Sequence, residues 1–270
     1  MILRRIEEER MEPLFFIKFG EREHLESLVS GEVYISNAKT FIQLEEEQLN
    51  KGQGDKMEGK YTIEVSNLKL ISHETGEEVP IKQVLSKVYP MEVVEKILAQ
   101  ENIRLTLNFP DLINYPVFCL TWCDTEDCEY YIDEENYKVK LSETIQEEII
   151  TSFPRANAAL IITNPKAFIG NMEEMFGTCQ HDRIHYYDYS INDKAQIDYL
   201  VPQGGGMKQE DLYRHLLTKD IYFKEQKEYR FIGLGYQIES PQLIPIRALN
   251  ERDYVIVDLE ELWKGVVVSK

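Results

Sequence analysis

No apolar run in this sequence approaches the roughly 20 residues that a membrane-spanning helix needs. The opening stretch, MILRRIEEER, carries basic residues, but Glu7, Glu8 and Glu9 cut its short apolar part. That pattern is not a secretory signal and reads as an amphipathic first helix. The expectation is a soluble, intracellular protein of the cytoplasm. Cysteine is scarce too: the four residues Cys119, Cys123, Cys128 and Cys179 are too few and too unevenly placed for a secreted disulfide framework. The spacing C-x3-C-x4-C is not a zinc knuckle, and Cys119 lies in the apolar run PVFCLTW, so buried thiols are expected rather than metal ligands. Positive charge is the third shortage. Lys and Arg total 30 against 48 Asp and Glu, a formal net charge of -18. Such a surface repels a phosphate backbone and argues against general nucleic-acid binding, while it suits a basic protein partner.

Signature motifs are missing as well. The chain has no G-x-S-x-G elbow, no H-E-x-x-H pair and no kinase set. Gly204, Gly205 and Gly206 precede a helical pattern, yet the Lys-Ser sequel of a phosphate-binding loop does not follow, which leaves a flexible loop. No internal repeat, low-complexity linker or Pro-rich boundary divides the sequence.

What is present is a scatter of short strands with helices between many of them. LFFIKFG (14–20) reads as a strand, EREHLESLVSG as a helix stopped at Gly31, and EVYISNAKTF as a half-buried strand of alternating pattern. KYTIEVSNLKLISHETGEEVPI reads as strand broken at ETGEE, and IKQVLSKVYPMEVVEKILAQ as two short helices divided at Pro90. PVFCLTWC, AALIIT and RIHYYDYS read as strands, and KLSETIQEEIITSF as a helix capped by Ser142. The elements do not alternate in regular βαβ order. They predict one α+β domain over 1–270, with a mainly antiparallel or mixed sheet, several short helices and a helical insertion near 80–100.

Two local patterns invite a chemical reading. His181 and His185 stand four apart in a strand-like segment, which favours satisfied histidines over metal ligands. Sixteen tyrosines include a central group of Tyr130, Tyr131, Tyr137, Tyr186, Tyr187 and Tyr189, suited to packing or to an interface. Most pointed is FKEQKEYRFIGLGY, an apolar strand with Lys227, Glu228 and Arg230 at its mouth. Strand alternation puts Glu228, Arg230 and Ile232 on one face, where the two charges can pair or share a ligand. A structural ion pair and a functional site are both open.

Four segments together resemble a broad family of bacterial and phage proteins known as a domain of unknown function. They are FIKFGEREHLESLVSGEVYISNAKTF, VFCLTW, RIHYYD and YFKEQKEYRF. This chain has KGQGDKMEG where many members have an F-N-D-P-F-D type loop. Genes of that family often sit among defence, toxin or prophage genes, which implies an antiviral defence or counter-defence setting. The opening strand–helix–SGEVYIS unit and the late glutamate are also similar in layout to ADP-ribosyltransferase folds. That likeness implies NAD as cofactor or substrate, Lys18, Ser36 and Glu228 as catalytic residues, and Tyr34 and Arg230 as NAD contacts. Two functions are therefore expected from the sequence: an NAD-handling enzyme, or a non-enzymatic acidic protein that inhibits or triggers a defence complex through a protein partner.

Overall fold

The computed structural model describes residues 13–48, 57, 59–64, 70–71, 78–86, 89–99, 104–124, 127–130, 136–190, 194–200 and 209–269. The expected first helix over MILRRIEEER, most of the KGQGDKMEG loop, the ETGE stretch of the expected turn and the Gly204–Gly206 loop lie outside these residues.

The chain folds as an α+β protein on antiparallel strands. Its first part comprises β1 (Phe15–Gly20), α1 (Arg22–Ser30), β2 (Glu32–Asn37), α2 (Ala38–Gln48), β3 (Lys60–Glu64), β4 (Leu70–Ile71) and β5 (Glu78–Val79). Then come α3 (Ile81–Leu85), α4 (Met91–Leu98), β6 (Arg104–Asn108), β7 (Pro116–Cys123), β8 (Cys128–Tyr130) and β9 (Asn136–Val139). The next elements are α5 (Glu143–Ser152), β10 (Ala158–Ile162), α6 (Pro165–Phe176), β11 (Cys179–Arg183), β12 (His185–Tyr187) and α7 (Lys194–Leu200). Two 3-10 helices, Gln209–Leu217 and Ile221–Gln226, flank β13 (Thr218–Asp220). The chain ends with β14 (Glu228–Gly233), β15 (Gln242–Pro245), β16 (Tyr254–Asp258), α8 (Leu259–Lys264) and β17 (Val266–Ser269).

Local chemistry explains several boundaries. Gly31 closes α1 at φ 109, a left-handed conformation, and a Cβ there would sit 2.9 Å from the Ile246 carbonyl oxygen. Ser142 accepts the Ile145 N–H at 3.3 Å and opens α5. Asn164 accepts the Ala167 N–H at 3.1 Å, with Pro165 following as the first helical residue of α6. Two expectations need correction. The strand read over EVYISNAKTF ends at Asn37, whose side-chain oxygen accepts the Thr40 N–H at 3.0 Å and the Thr40 hydroxyl at 2.9 Å, so the chain turns into α2. The strand read over RIHYYDYS is two strands: Ile184 breaks it, its N–H donating to the Glu228 carbonyl at 2.8 Å. His181 and His185 therefore belong to different strands.

The central sheet runs β11-β14-β7-β1-β10-β16, every pair antiparallel. A side arm of β2 and β15 leaves the same sheet at β7. Only β12 and β13 pair in parallel among the described strands. One sheet face carries Phe16, Phe118, Leu120, Leu160, Tyr229 and Phe231 beneath α1 and α6. The opposite face carries two clusters, one around Phe15, Ile17, Cys123 and Ile161 under α5 and α8, the other around Val117 and Ile232 beside Leu216 and Leu217. Among the described residues no helix is long and apolar enough to cross a membrane.

The fork in this sheet positions everything that follows. One edge of β7 is covered by β14 from Val117 to Thr121. The other edge is divided: β1 pairs with Thr121, Trp122 and Cys123, and β2 pairs with Pro116 and Val117. Between them, at 118–120, neither β1 nor β2 pairs with β7, and the two arms part.

The end of β14 tests how closely the face under α6 is packed. A Cβ on Gly233 would collide with the Phe176 ring and lie 2.9 Å from Pro116 Cγ. Gly233→Ala is expected to lower the unfolding free energy by about 1–3 kcal/mol. Urea unfolding measures it, and an unchanged midpoint would contradict this packing.

Candidate functional site

The charged mouth of β14 begins with an unusual backbone residue. Lys227 adopts φ 42, the only positive φ at a non-glycine among the described residues. That left-handed turn ends the 3-10 helix Ile221–Gln226 and lets the chain enter the sheet at once. Lys227 itself is held by ion pairs to Asp127 and, at 3.5 Å, to Asp124, with its ammonium 4.2 Å from the Trp122 ring centre.

Strand alternation then sends Glu228 and Arg230 to the same face, as their spacing predicts, alongside Thr121 and Cys119 of β7. The Glu228 carboxylate is saturated. Its Oε2 accepts from Lys219 Nζ at 2.8 Å, and its Oε1 accepts from Arg230 Nε at 2.8 Å and Nη2 at 2.6 Å. Arg230 Nη1 donates to the Leu216 carbonyl at 2.6 Å. Lys219 Nζ also donates to Gln226 Oε1 at 3.3 Å, and Gln226 Nε2 donates to Glu148 at 2.9 Å. The Glu228 N–H donates to the Tyr186 hydroxyl at 2.9 Å. Burial is nearly complete: Arg230 is 0%, Lys219 5% and Glu228 6% exposed.

Electrostatics agree with the contacts. Burial opposes ionisation of Glu228, but Arg230 and Lys219 outweigh it and hold its carboxyl well below the usual range. The Cys119 thiol, a further hydrogen-bond partner of Glu228, is pushed up to about 12 by burial and then by that carboxylate. Burial likewise raises Tyr186 well above the ordinary phenol value.

The other sequence candidates lie around the fork. Lys18, half-buried on β1, reaches across the opening to the Cys119 carbonyl oxygen, 2.7 Å away. Its ammonium is 4.7 Å from the Phe118 ring centre. Ser36 stands on the other arm opposite Val117, its hydroxyl buried and, among the described residues, without a hydrogen-bond partner. Tyr34 is 60% exposed and lies opposite Leu243, itself 61% exposed. The structure thus brings Glu228 and Arg230 together. It does not join Lys18 or Ser36 to Glu228 by any contact. By register, Lys18 shares the face of Phe16, and Ser36 and Glu228 share the opposite one. Cys119 is the common neighbour, through its carbonyl to Lys18 and its thiol to Glu228.

Lys219 and Gln226 are members of the network that the sequence pattern did not single out, and Tyr186 stood out there only as one of the central tyrosines, suited to packing or an interface. Lys219 follows the apolar HLLT, a charge at the edge of an apolar run as Glu228 is, and that is the one signal it gave. A second polar constellation lies across the sheet. His181 Nδ1 is 2.7 Å from the Tyr229 hydroxyl and its Nε2 is 3.2 Å from Glu173, tying α6 to the sheet edge. Arg183 stacks 3.9 Å from the Trp122 ring centre. Among the described residues no three His, Cys, Asp or Glu side chains are grouped to hold a metal ion. In comparisons with known proteins, no family model, curated protein or solved structure matches this chain.

One buried histidine gives the protein a defined acid response. His215 is 1% exposed, its ring 4.4 Å from that of Phe109, and burial pushes it from 6.5 down to about 4. The unfolded chain therefore binds the extra proton first. The stability from keeping this ring neutral is complete above about pH 6.5 and falls away towards pH 4, by up to roughly 3 kcal/mol. Glu228, with its carboxyl held low, adds a second loss only below about pH 4.3. Denaturant unfolding across pH 7.5 to 4 should show this slope in wild type and a flatter one in His215→Phe. Equal slopes would contradict it.

Proposed function

We propose that this protein acts without catalysis, by binding a protein partner in a bacterial or phage defence setting. The observation that supports this most is the closure of Glu228. A carboxylate that stabilises a developing positive charge has to face the reacting group, and this one is buried facing Arg230 and Lys219. What the molecule presents outward is different: a formal charge of -18 and exposed aromatic and apolar side chains such as Tyr34, Tyr222 and Leu243. Tyrosine among carboxylates suits recognition of a partner that combines apolar and basic groups. Several other tyrosines pack inward, with Tyr186 on the Glu228 N–H and Tyr189 donating to Thr218 at 3.2 Å.

The NAD-handling reading keeps one point in its favour, the fork itself, where the Lys18 ammonium and the unsatisfied Ser36 hydroxyl border the same opening in the sheet. Under that reading Glu228 would have to leave both cations to meet a ribose.

Thermal unfolding with and without NAD separates the two. Partner binding without catalysis predicts no NAD shift for wild type, and a ligand-free midpoint lowered by roughly 10 °C in Glu228→Gln as the two cations lose their counter-charge. A wild-type midpoint raised by NAD, with Glu228→Gln abolishing that shift and leaving the ligand-free midpoint unchanged, would overturn the proposal in favour of the enzyme.

A further inference from the structure

The arm formed by β2 and β15 departs from the pattern of a half-solvated ribbon. Its inner face carries Val33, Ile35 and Ile244 into the core cluster with Leu25 and Leu28 of α1. The outer face of such a ribbon is ordinarily polar. Glu32 fits that rule, but Tyr34 and, directly opposite it, Leu243 do not. Along β15 the order is inverted, with Gln242 on the inner side opposite buried Ile35 and Leu243 on the outside. The Ile246 N–H donates to the Gly31 carbonyl at 2.9 Å, so Gln242, Ile244 and Ile246 turn their main chain towards β2. Tyr34 and Leu243 therefore form a non-hydrogen-bonded pair, the closer of the two kinds, with Cα atoms ~4.5 Å apart. They stand side by side, yet Tyr34 stays 60% and Leu243 61% exposed, so this face of the arm is open.

We infer that the outer face of the β2–β15 arm is where a protein partner docks, through a cationic segment that lays an aliphatic side chain on Tyr34 and Leu243 and sets a lysine or arginine beside Glu32. The inference rests on the reading of this protein as a partner-binding one and gives that reading a place. Charge selects the occupant. Glu32 is exposed on the same outer face, its Oε2 accepts the Ser27 hydroxyl at 3.4 Å, and among the described residues no cation is in ion-pair contact with it. A second copy of a chain with formal charge -18 would bring like charge to the contact, whereas a basic segment neutralises it. The main chain selects the mode. Leu243 and Pro245 turn theirs to the outer edge of β15, and Pro245 has no N–H to offer there, which counters addition of a further strand. The segment therefore lies across the face rather than extending the sheet. The arm is fastened in advance: besides the Ile246 contact, the Leu249 N–H donates to the Val29 carbonyl of α1 at 2.9 Å, so little ordering is left to binding.

The probe is a short fluorescein-labelled peptide of alternating lysine and leucine, titrated with full-length protein and followed by fluorescence anisotropy. Wild type is expected to bind it. Tyr34→Thr combined with Leu243→Thr, which keeps strand-forming residues at both positions, is expected to bind roughly tenfold more weakly. Glu32→Gln is expected to weaken binding several-fold at low salt and less at high salt. Tyr222→Thr, at a tyrosine 55% exposed on the 3-10 helix Ile221–Gln226, is expected to bind as wild type. Thermal unfolding of each variant accompanies the titrations, and unchanged midpoints separate loss of the contact from loss of the fold. A double variant that binds as tightly as wild type would overturn this docking face while leaving partner binding elsewhere on the protein in place. Equal weakening by Tyr222→Thr would show diffuse attraction of a cation to an acidic surface and would also overturn it, as would absence of binding by wild type. Failure of the underlying reading shows separately, as a wild-type unfolding midpoint raised by NAD.

Discussion

A carboxylate enclosed with two cations between a sheet and its covering 3-10 helices has to be neutralised there or be excluded from the fold. Removing each ion from water costs several kcal/mol, which only close pairing and hydrogen bonding repay. Glu228 meets that condition through three contacts of 2.6 to 2.8 Å. Much of the local architecture follows from it. Arg230 reaches the Leu216 carbonyl and so fixes the end of the first 3-10 helix. Lys219 brings β13 against β14, and Gln226 carries the connection on to Glu148 of α5. The left-handed Lys227 is the backbone expense that admits Glu228 to this position immediately after a helix.

The fork is the second determinant, and it is linked to the first through Cys119. One residue of β7 offers its carbonyl to Lys18 and its thiol to Glu228. Two environments of opposite character therefore lie a sheet's thickness apart. On one side, a carboxylate is locked in its charged form by cations. Towards the fork, the Lys18 amine sits against a neutral carbonyl and a ring, with no carboxylate in ion-pair contact among the described residues.

Period-two alternation made the common face of Glu228 and Arg230 legible in the sequence, because it depends on nothing beyond the strand. The same holds for caps: Gly31, Ser142 and the Pro90 division are local events with local signals, and each stands where its residue type implies. The α+β class followed from irregular element order. The misplaced end of β2 was also local. Asn37 followed by Thr40 is a helix start, obscured by the alternating apolar residues before it. What could not be read is non-local. Nothing near PVFCLTWC marks β7 as the strand on which two arms diverge, and nothing near Lys219 names Glu228 as its partner. Lys18, Ser36 and Glu228 were grouped by resemblance of layout. That Lys18 lies on the face opposite Ser36 and Glu228 is a matter of inter-strand register, which a single sequence does not carry.

Whether the Glu228 network is scaffold is measured most directly by a double-mutant cycle in urea, with Glu228→Gln and Arg230→Met made singly and together. A scaffold role predicts losses of about 3–5 kcal/mol for the single variants, and a double variant less destabilised than their sum by about 1–3 kcal/mol. The contrary result is a Glu228→Gln protein as stable as wild type or more so, as expected of a charge retained for chemistry at the expense of the fold.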